Sequence, residues 1–521
     1  MNLANHIPIL IIAIPLLAAF LVPLIGRINK EATGILTTLA LSVSLILTII
    51  LAIEILTVGP QVYVFGATSP SLTLPSGLKF PIRIMFQIDA MGIFMGLITA
   101  VISFVGAVYS LAFMKQQSGL DKYYSLLLLL TVGVFSMEFT GDIFNFFIFL
   151  EVASIAAVAL ISFRGVNLGE PAEAGFKYIV VSSISALMVL FAVGIFYGQY
   201  GLLNFAALAS VIEYSQLDKI ALGILISVLA MKAGAVPMHM WTPDAYSEAP
   251  APISMILVAA SQASLYFLFR VTFSLYNITL NTLTVGWIII VFGLLSMFIG
   301  VTMAIIQKDI KRLMAYHAIS QTGYMLLGVG VGLAVLANPV ALSQYGITAM
   351  EGGIFHIMNH AVYKGLLFLT AGALFFRTGT RDLNKMGGLA HSMKYTTIFF
   401  IIGAAAIAGL PPFNGFASKL LIYESVYRFN PLLSIIAMLV SILTLASFVK
   451  VFHSAFLGPK LPQFKEVKEV PRSMVFAMAV LSCIIIFFGL FPDLIVKNLV
   501  HPAVMSLIEQ FKYTGTALGG M

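Results

Sequence analysis

Apolar runs of around 20 residues recur from end to end of this 521-residue chain, separated by short polar breaks. They occupy 6–26, 33–57, 89–114, 123–140, 143–163, 174–197, 219–238, 250–275, 283–305, 310–334, 350–376, 395–427, 432–457 and 473–495. At about 1.5 Å per helical residue each can cross the roughly 30 Å hydrocarbon core of a bilayer. The pattern predicts an all-α polytopic membrane protein with about fourteen transmembrane helices. Residues 59–87 alternate apolar and polar positions (VYVFG, SLTLPSG) around Pro70, Pro75 and Gly77, which predicts a hairpin outside the membrane. Leu202–Ile212 is weakly amphipathic and predicts a stretch lying along the interface. The tail from Lys497 is polar and short.

Composition supports the same class. The chain is 60% apolar and 9% charged, whereas a soluble domain carries about a quarter charged residues. Too little charge is present to cover a water-facing surface, so lipid is the solvent. The first run follows no Lys or Arg and lacks a small-residue cleavage site, so it reads as a retained helix. Net charge is +7, but the basic residues sit in short loops, which argues against nucleic acid. They concentrate in loops after odd-numbered spans, such as Arg27, Lys115, Arg164, Lys308, Arg381 and Lys465. That bias predicts a cell-membrane protein with both termini outside the cytoplasm. Cys483 is the single cysteine, which excludes an internal disulfide, an iron–sulfur cluster or a structural zinc site. No cofactor is expected.

The informative residues are charges inside the apolar spans: Glu151, Lys232, Lys364 and Lys419. An ionisable group at the bilayer centre costs at least about 2.5–3.5 kcal/mol and by default marks a pathway. Lys232 lies beside Gly234 and Pro237, and Lys419 beside Gly409, Pro411, Pro412 and Gly415. Such breaks survive at membrane depth only where protein or water surrounds them. They fall in spans seven and twelve, five helices apart. Two inverted five-helix repeats follow, spans 4–8 (122–282) and 9–13 (283–458), after an N-terminal segment 1–121 and before a closing segment 459–521. His239 follows the first break, His317 opens the tenth span, and His356 and His360 share a face of the eleventh at i, i+4. No HExxH pattern surrounds that pair, so a proton relay suits it better than a metal. The glycines of GVGVG at 328–332 lie inside an apolar span, where close helix packing is expected.

Four stretches, FLEVASIAAVALIS, KAGAVPMHMWTPDAYSEAPAPIS, KDIKRLMAYHAISQTGYMLLG and GLPPFNGFASKLLI, resemble the antiporter-like subunits of respiratory complex I and its relatives. These include Mrp-type Na⁺/H⁺ antiporters and energy-converting membrane-bound hydrogenases. The likeness covers roughly 90–480. AYHAISQTGY and GLPPFNGFASKLL bring it nearest the Mrp D-type subunit, as in archaeal membrane-bound hydrogenase and sulfane reductase complexes. The resemblance implies that Glu151 and Lys232 pair, that Lys419 ends a proton route, and that His356 and His360 relay between them. Gln262 stands where many relatives carry a bridging lysine, and Gln321 where some carry histidine. The long lateral helix of the L-type subunit is missing.

The mechanism so implied takes a proton from the cytoplasm to Lys232, whose charge Glu151 sets, and releases it beyond Lys419. At an effective dielectric of about 20, charges 4 Å apart interact by about 4 kcal/mol, enough to drive transfer. The chain holds no catalytic or redox site, so partner membrane subunits or an opposing Na⁺ gradient must supply the energy. A stand-alone Na⁺/H⁺ antiporter subunit, an unrelated solute symporter and a non-conducting scaffold are the alternatives.

Overall fold

The computed structural model describes residues 6–65, 84–163 and 169–518, with the backbone of the two-residue strands at 72–73 and 79–80. The side chains of Lys79, Arg83 and Arg164, which bear on orientation, lie outside these. The chain is overwhelmingly helical, and among the described residues ten helices are long and apolar enough to cross a membrane. It is a multi-pass membrane protein.

Its helices of eight residues or more run α1 Ile7–Gly26, α2 Lys30–Thr57, α3 Ala90–Phe113, α4 Leu120–Phe139, α5 Ile143–Ile161 and α6 Gly169–Tyr200. Then come α7 Gln216–Lys232, α8 Trp241–Glu248, α9 Ala251–Phe269, α10 Thr282–Ile306, α11 Ile310–Ala334 and α12 Ile347–Thr378. The remainder are α13 Lys394–Ala408, α14 Asn414–Phe429, α15 Pro431–Ala455, α16 Arg472–Leu490, α17 His501–Ile508 and α18 Gln510–Leu518. Starts follow local chemistry. Asp89, Asp142 and Asp309 each accept a backbone N–H of the first turn, from Gly92, Asn145 and Arg312, and Ser215 with Asp218 closes a capping box.

Loops meet on two faces. On one, Ile310 N donates to Arg381 O at 3.0 Å, Gly388 N to Leu457 O at 2.8 Å, and Lys115 pairs with Glu31. This is the basic face. On the opposite face, Gly141 N donates to Met85 O at 3.0 Å and Ile143 N to Leu203 O at 3.0 Å. The hairpin expected there has its base: Gln61–Val64 pairs antiparallel with Met85–Ile88.

The two breaks are built alike. Gly234 and Gly409 both take left-handed backbone, φ 75° and 76°. Each has an N–H that reaches back three residues, to Met231 O and Ala406 O, while the next N–H reaches back five, to Ala230 O and Ala405 O. This is the glycine-terminated helix end, and it turns α7 into α8 and α13 into α14 inside the bundle.

Glycines set the closest approaches. A Cβ on Gly323 of α11 would lie 2.4 Å from Gly293 O of α10, and one on Gly328 would lie 2.9 Å from the backbone of Gly353 in α12. The GVGVG run therefore packs helices, as expected. These contacts seat α11 closely between α10 and α12.

One expectation needs correction. The middle of Leu202–Ile212 is buried rather than laid open along an interface. Phe205–Ala209 forms a short helix capped by Asn204, with Phe205 packed on Phe267 and Tyr513. FAALA is apolar on every side, so it buries once something covers it. That cover is the helical tail: α17 packs on α3, and Gln510 Nε2 in α18 donates to the carbonyls of Ser274 and Leu275.

Candidate functional site

The buried cations come first, because each needs oxygen around it. Lys232 closes α7, and its Nζ is held by hydroxyls: Ser154 Oγ at 2.9 Å, Ser182 Oγ at 3.0 Å and Tyr178 OH at 3.4 Å. Glu151 is half-buried one turn before Ser154. Lys232 acts on it electrostatically, but Nζ makes no direct ion pair with it. The pairing is long-range, with a hydroxyl cage between. Lys232 also borders a small cavity with Met137, Trp241, Ser261 and Ser264 that has about 10 Å³ open to water, room for a single molecule.

Lys419 curls back to the second break. Its Nζ donates to Ile407 O at 2.7 Å and Ser441 Oγ at 3.0 Å and lies 4.7 Å from the Tyr324 ring centre. Ile407 O is one of the carbonyls that α13 leaves without an intrahelical partner when it stops at Gly409. Lys364 is served in the same way, donating to Met314 O at 2.8 Å.

Polar side chains span the interval between these lysines. Gln262 of α9 donates from Nε2 to Ile357 O at 3.0 Å and to His360 Nδ1 at 2.9 Å, joining α9 to α12. His356, one turn away, makes contacts at 2.9 Å with Ser418 Oγ on α14, 3.1 Å with Gln321 Oε1 on α11 and 3.1 Å with Tyr363 OH. The Tyr324 ring lies 5.4 Å from that of His356, tilted by 45°, and faces Lys419. His317 contacts Ser447 Oγ at 2.8 Å, within electrostatic reach of Lys364, Lys419 and Lys450. Lys450 donates to Ile305 O and Gln307 O at the basic face.

The structure thus bonds Gln262 to His360 and gathers His356, Gln321, Tyr363, Tyr324 and Lys419, with His317 and Lys364 nearby. Lys232 stands across its cavity from α9, with Glu151 at one side, and no hydrogen bond among the described residues joins it to Gln262. His239 stands apart in the first break. Its Nδ1 has no partner, and among the described residues no hydrogen bond joins it to the line. Several members carried no signal in sequence: Ser154, Tyr178, Ser182, Tyr324, Tyr363, Ser418 and Ser441 are ordinary hydroxyls in apolar spans. Gln321 is a working part of the network, with its amide oxygen between imidazole and phenol. Among the described residues no group of three or more His, Cys, Asp or Glu could hold a metal.

Next to the first break, the basic face carries a charged cavity of ≈ 360 Å³. Its charges are engaged with one another: Asp244 with Lys177 and Arg312, and Arg381 with Glu248 and Asp309.

Comparison with known proteins extends this geometry. The chain is 30% identical over 522 residues to NADH-quinone oxidoreductase subunit N of Desulforudis audaxviator, covering 96% of this chain and 98% of that one. It is 32% identical over 461 residues to the D-type Na⁺/H⁺ antiporter subunit of Alkalihalophilus pseudofirmus, covering 87% of each. Its fold is similar to a chain of the membrane-bound sulfane sulfur reductase, an archaeal respiratory membrane complex, with a TM-score of 0.86 and 28% identity over 98% of this chain and all of that one. The family model described as NADH:quinone oxidoreductase/Mrp antiporter, TM, matches residues 140–444, which include both breaks, both lysines, Gln262 and the histidines of α11 and α12, and the chain belongs to that family.

Proposed function

We propose that this chain is an ion-translocating, antiporter-like membrane subunit of a complex I-related energy-converting complex, and that protons travel its buried line between Lys232 and Lys419. The observation that supports the reading is the Gln262–His360 hydrogen bond, which ties α9, whose Ser261 and Ser264 line the Lys232 cavity, to α12, which carries His356. Hydroxyls and imidazoles both donate and accept, so Ser418, His356 and Tyr363 can pass a proton by exchanging bonds. Gln262 cannot carry one, but its unpartnered Oε1 suits a bridging water. With Na⁺ as the counter-ion, the same line serves an Na⁺/H⁺ antiporter, in keeping with the relative of that name.

Fourteen crossings, with 122–282 and 283–458 as inverted repeats between 1–121 and 459–521, fit the two loop faces and the matched breaks. By the placement of Lys and Arg the basic face is cytoplasmic, in a cell membrane, with both termini outside. Other membrane subunits are the expected partners. Contrary to the loading of Lys232 from the cytoplasm, the side chains favour the reverse polarity. His317, Ser447 and Lys450 lead from Lys419 toward the basic face, whereas on that face the charges near α8 are already paired.

The test is proton flux in liposomes containing the assembled complex. Lys232→Ala should lose it while assembly persists, and wild-type flux in that variant would overturn the reading.

A further inference from the structure

The polar groups at the Lys232 end continue past its cavity. Met137 and Ser264 line that cavity, and just beyond them on α4 and α9 come Glu138 and Tyr266. Glu138 is wholly buried, 0% exposed. Its Oε1 accepts from Thr99 Oγ1 at 2.7 Å, and its Oε2 has no partner. Its backbone carbonyl accepts from Tyr266 OH at 3.0 Å. Tyr266 OH accepts in turn from Arg270 Nε at 3.0 Å, and Arg270 forms an ion pair with Asp89, both buried. Asp89 Oδ2 and Gln87 Oε1 are likewise unpartnered, although these residues are only 5% and 2% exposed. Both line a cavity of ≈ 340 Å³ on the opposite face, beside Ser506, Glu509 and Tyr513 of the tail helices.

We propose that Glu138 is a proton-carrying residue and that, with the Asp89–Arg270 pair, it forms the outer mouth of the line. Fully ionised, Glu138, Asp89 and Arg270 carry one net negative charge, which a single proton neutralises. An unpaired buried carboxylate is costly, so Glu138 is stable as an ion only while a proton or cation is near. Glu138 lies one residue beyond the lining of the Lys232 cavity, so in the transfer step the Lys232 ammonium gives a proton, along water that must pass Met137 and Ser264, to Glu138 Oε2, leaving a neutral amine and a carboxylic acid. Glu138 then passes the proton to Asp89 Oδ2 and becomes a carboxylate again, and Asp89 releases it to water in the outer cavity. Arg270 cannot itself relay a proton. It pairs with Asp89 between transfers and keeps the mouth shut.

This inference rests on Lys232 being a proton carrier, and the experiment separates the two. In liposomes containing the assembled complex, Glu138→Gln should lower proton flux by about a hundredfold, Glu138→Asp should restore part of it, and Lys232→Ala is measured beside them. Glutamine keeps the volume and the acceptor for Thr99, so a carboxyl needed only for packing would tolerate the change. Full flux in Glu138→Gln with none in Lys232→Ala overturns the outer mouth and leaves the line standing. Full flux in Lys232→Ala overturns both. If Glu138→Gln does not assemble, dicyclohexylcarbodiimide, which modifies carboxylic acids in apolar surroundings, decides on the wild-type chain. Modification of Glu138 with matching loss of flux supports the proposal, and an unmodified Glu138 overturns it. In a Cys483→Ser background, Ser506→Cys should react with a membrane-impermeant thiol reagent added outside. Failure to react overturns the mouth's position.

Discussion

Gln262→Leu removes the side-chain bond that joins α9 to α12 while nearly preserving side-chain volume. In the native chain the amide nitrogen lies 2.9 Å from His360 Nδ1 and 3.0 Å from Ile357 O. Ile357 O belongs to a continuous helix and keeps its intrahelical donor. His360 is different, because its Nε2 already lacks a partner, so leucine leaves the buried imidazole with no hydrogen bond at all. Orphaning a buried polar group costs about 1–3 kcal/mol. If that falls on the proton-transfer step it slows transport roughly five- to 150-fold, at about 1.4 kcal/mol per decade. The assay is the initial rate of pH change inside liposomes carrying the assembled complex, under an imposed potential, with assembly checked by size-exclusion chromatography. Gln262→Glu keeps an oxygen that can accept from the imidazole and should lose much less. Wild-type rates in a well-assembled Gln262→Leu complex would refute the joint between α9 and α12.

Other outcomes follow from the packing. Gly323→Ala places a methyl 2.4 Å from Gly293 O and 2.7 Å from Met297 N. Because neither backbone can yield cheaply, it should lower stability by about 1–3 kcal/mol in a thermal melt. Gly194→Ala, with nothing within 4 Å, should be neutral or stabilising by up to about 1 kcal/mol, and an equal loss at both positions would discredit the close-packing argument. Gly409→Ala forces left-handed backbone on a side chain and should cost about 1–2 kcal/mol. Gly234→Ala should cost more, since its methyl also meets Thr242 Oγ1 at 2.6 Å. Asp244→Asn breaks only half-exposed ion pairs, so melts should shift by no more than about 1 kcal/mol. A collapse of assembly would mean that these pairs hold the bundle.

Helix positions were legible because lipid imposes a simple rule: an apolar run long enough to span satisfies its own backbone. The lysines were legible for the complementary reason, since a charge in such a run stands out against its neighbours. The rest of the line was hidden. A serine in a membrane helix usually bonds its own backbone, so nothing in the sequence separates Ser154, which holds Lys232, from Ser110, which donates to Gly106 O. Glu138 escaped notice because it lies at the end of its span, where a carboxylate normally meets headgroups. Only the fold puts Thr99 and Tyr266 against it. The burial of Phe205–Ala209 was hidden because its cover, the tail, lies far along the chain, at Tyr513.

The central claim is that one line runs through Lys232 and Lys419 in series. Proton flux should be measured for Lys232→Ala, Lys419→Ala and the double variant in the same assembled complex. The series arrangement predicts that each single change lowers flux to the level of the double. Partial losses in the singles that add up in the double would instead show two independent channels, and would contradict the account.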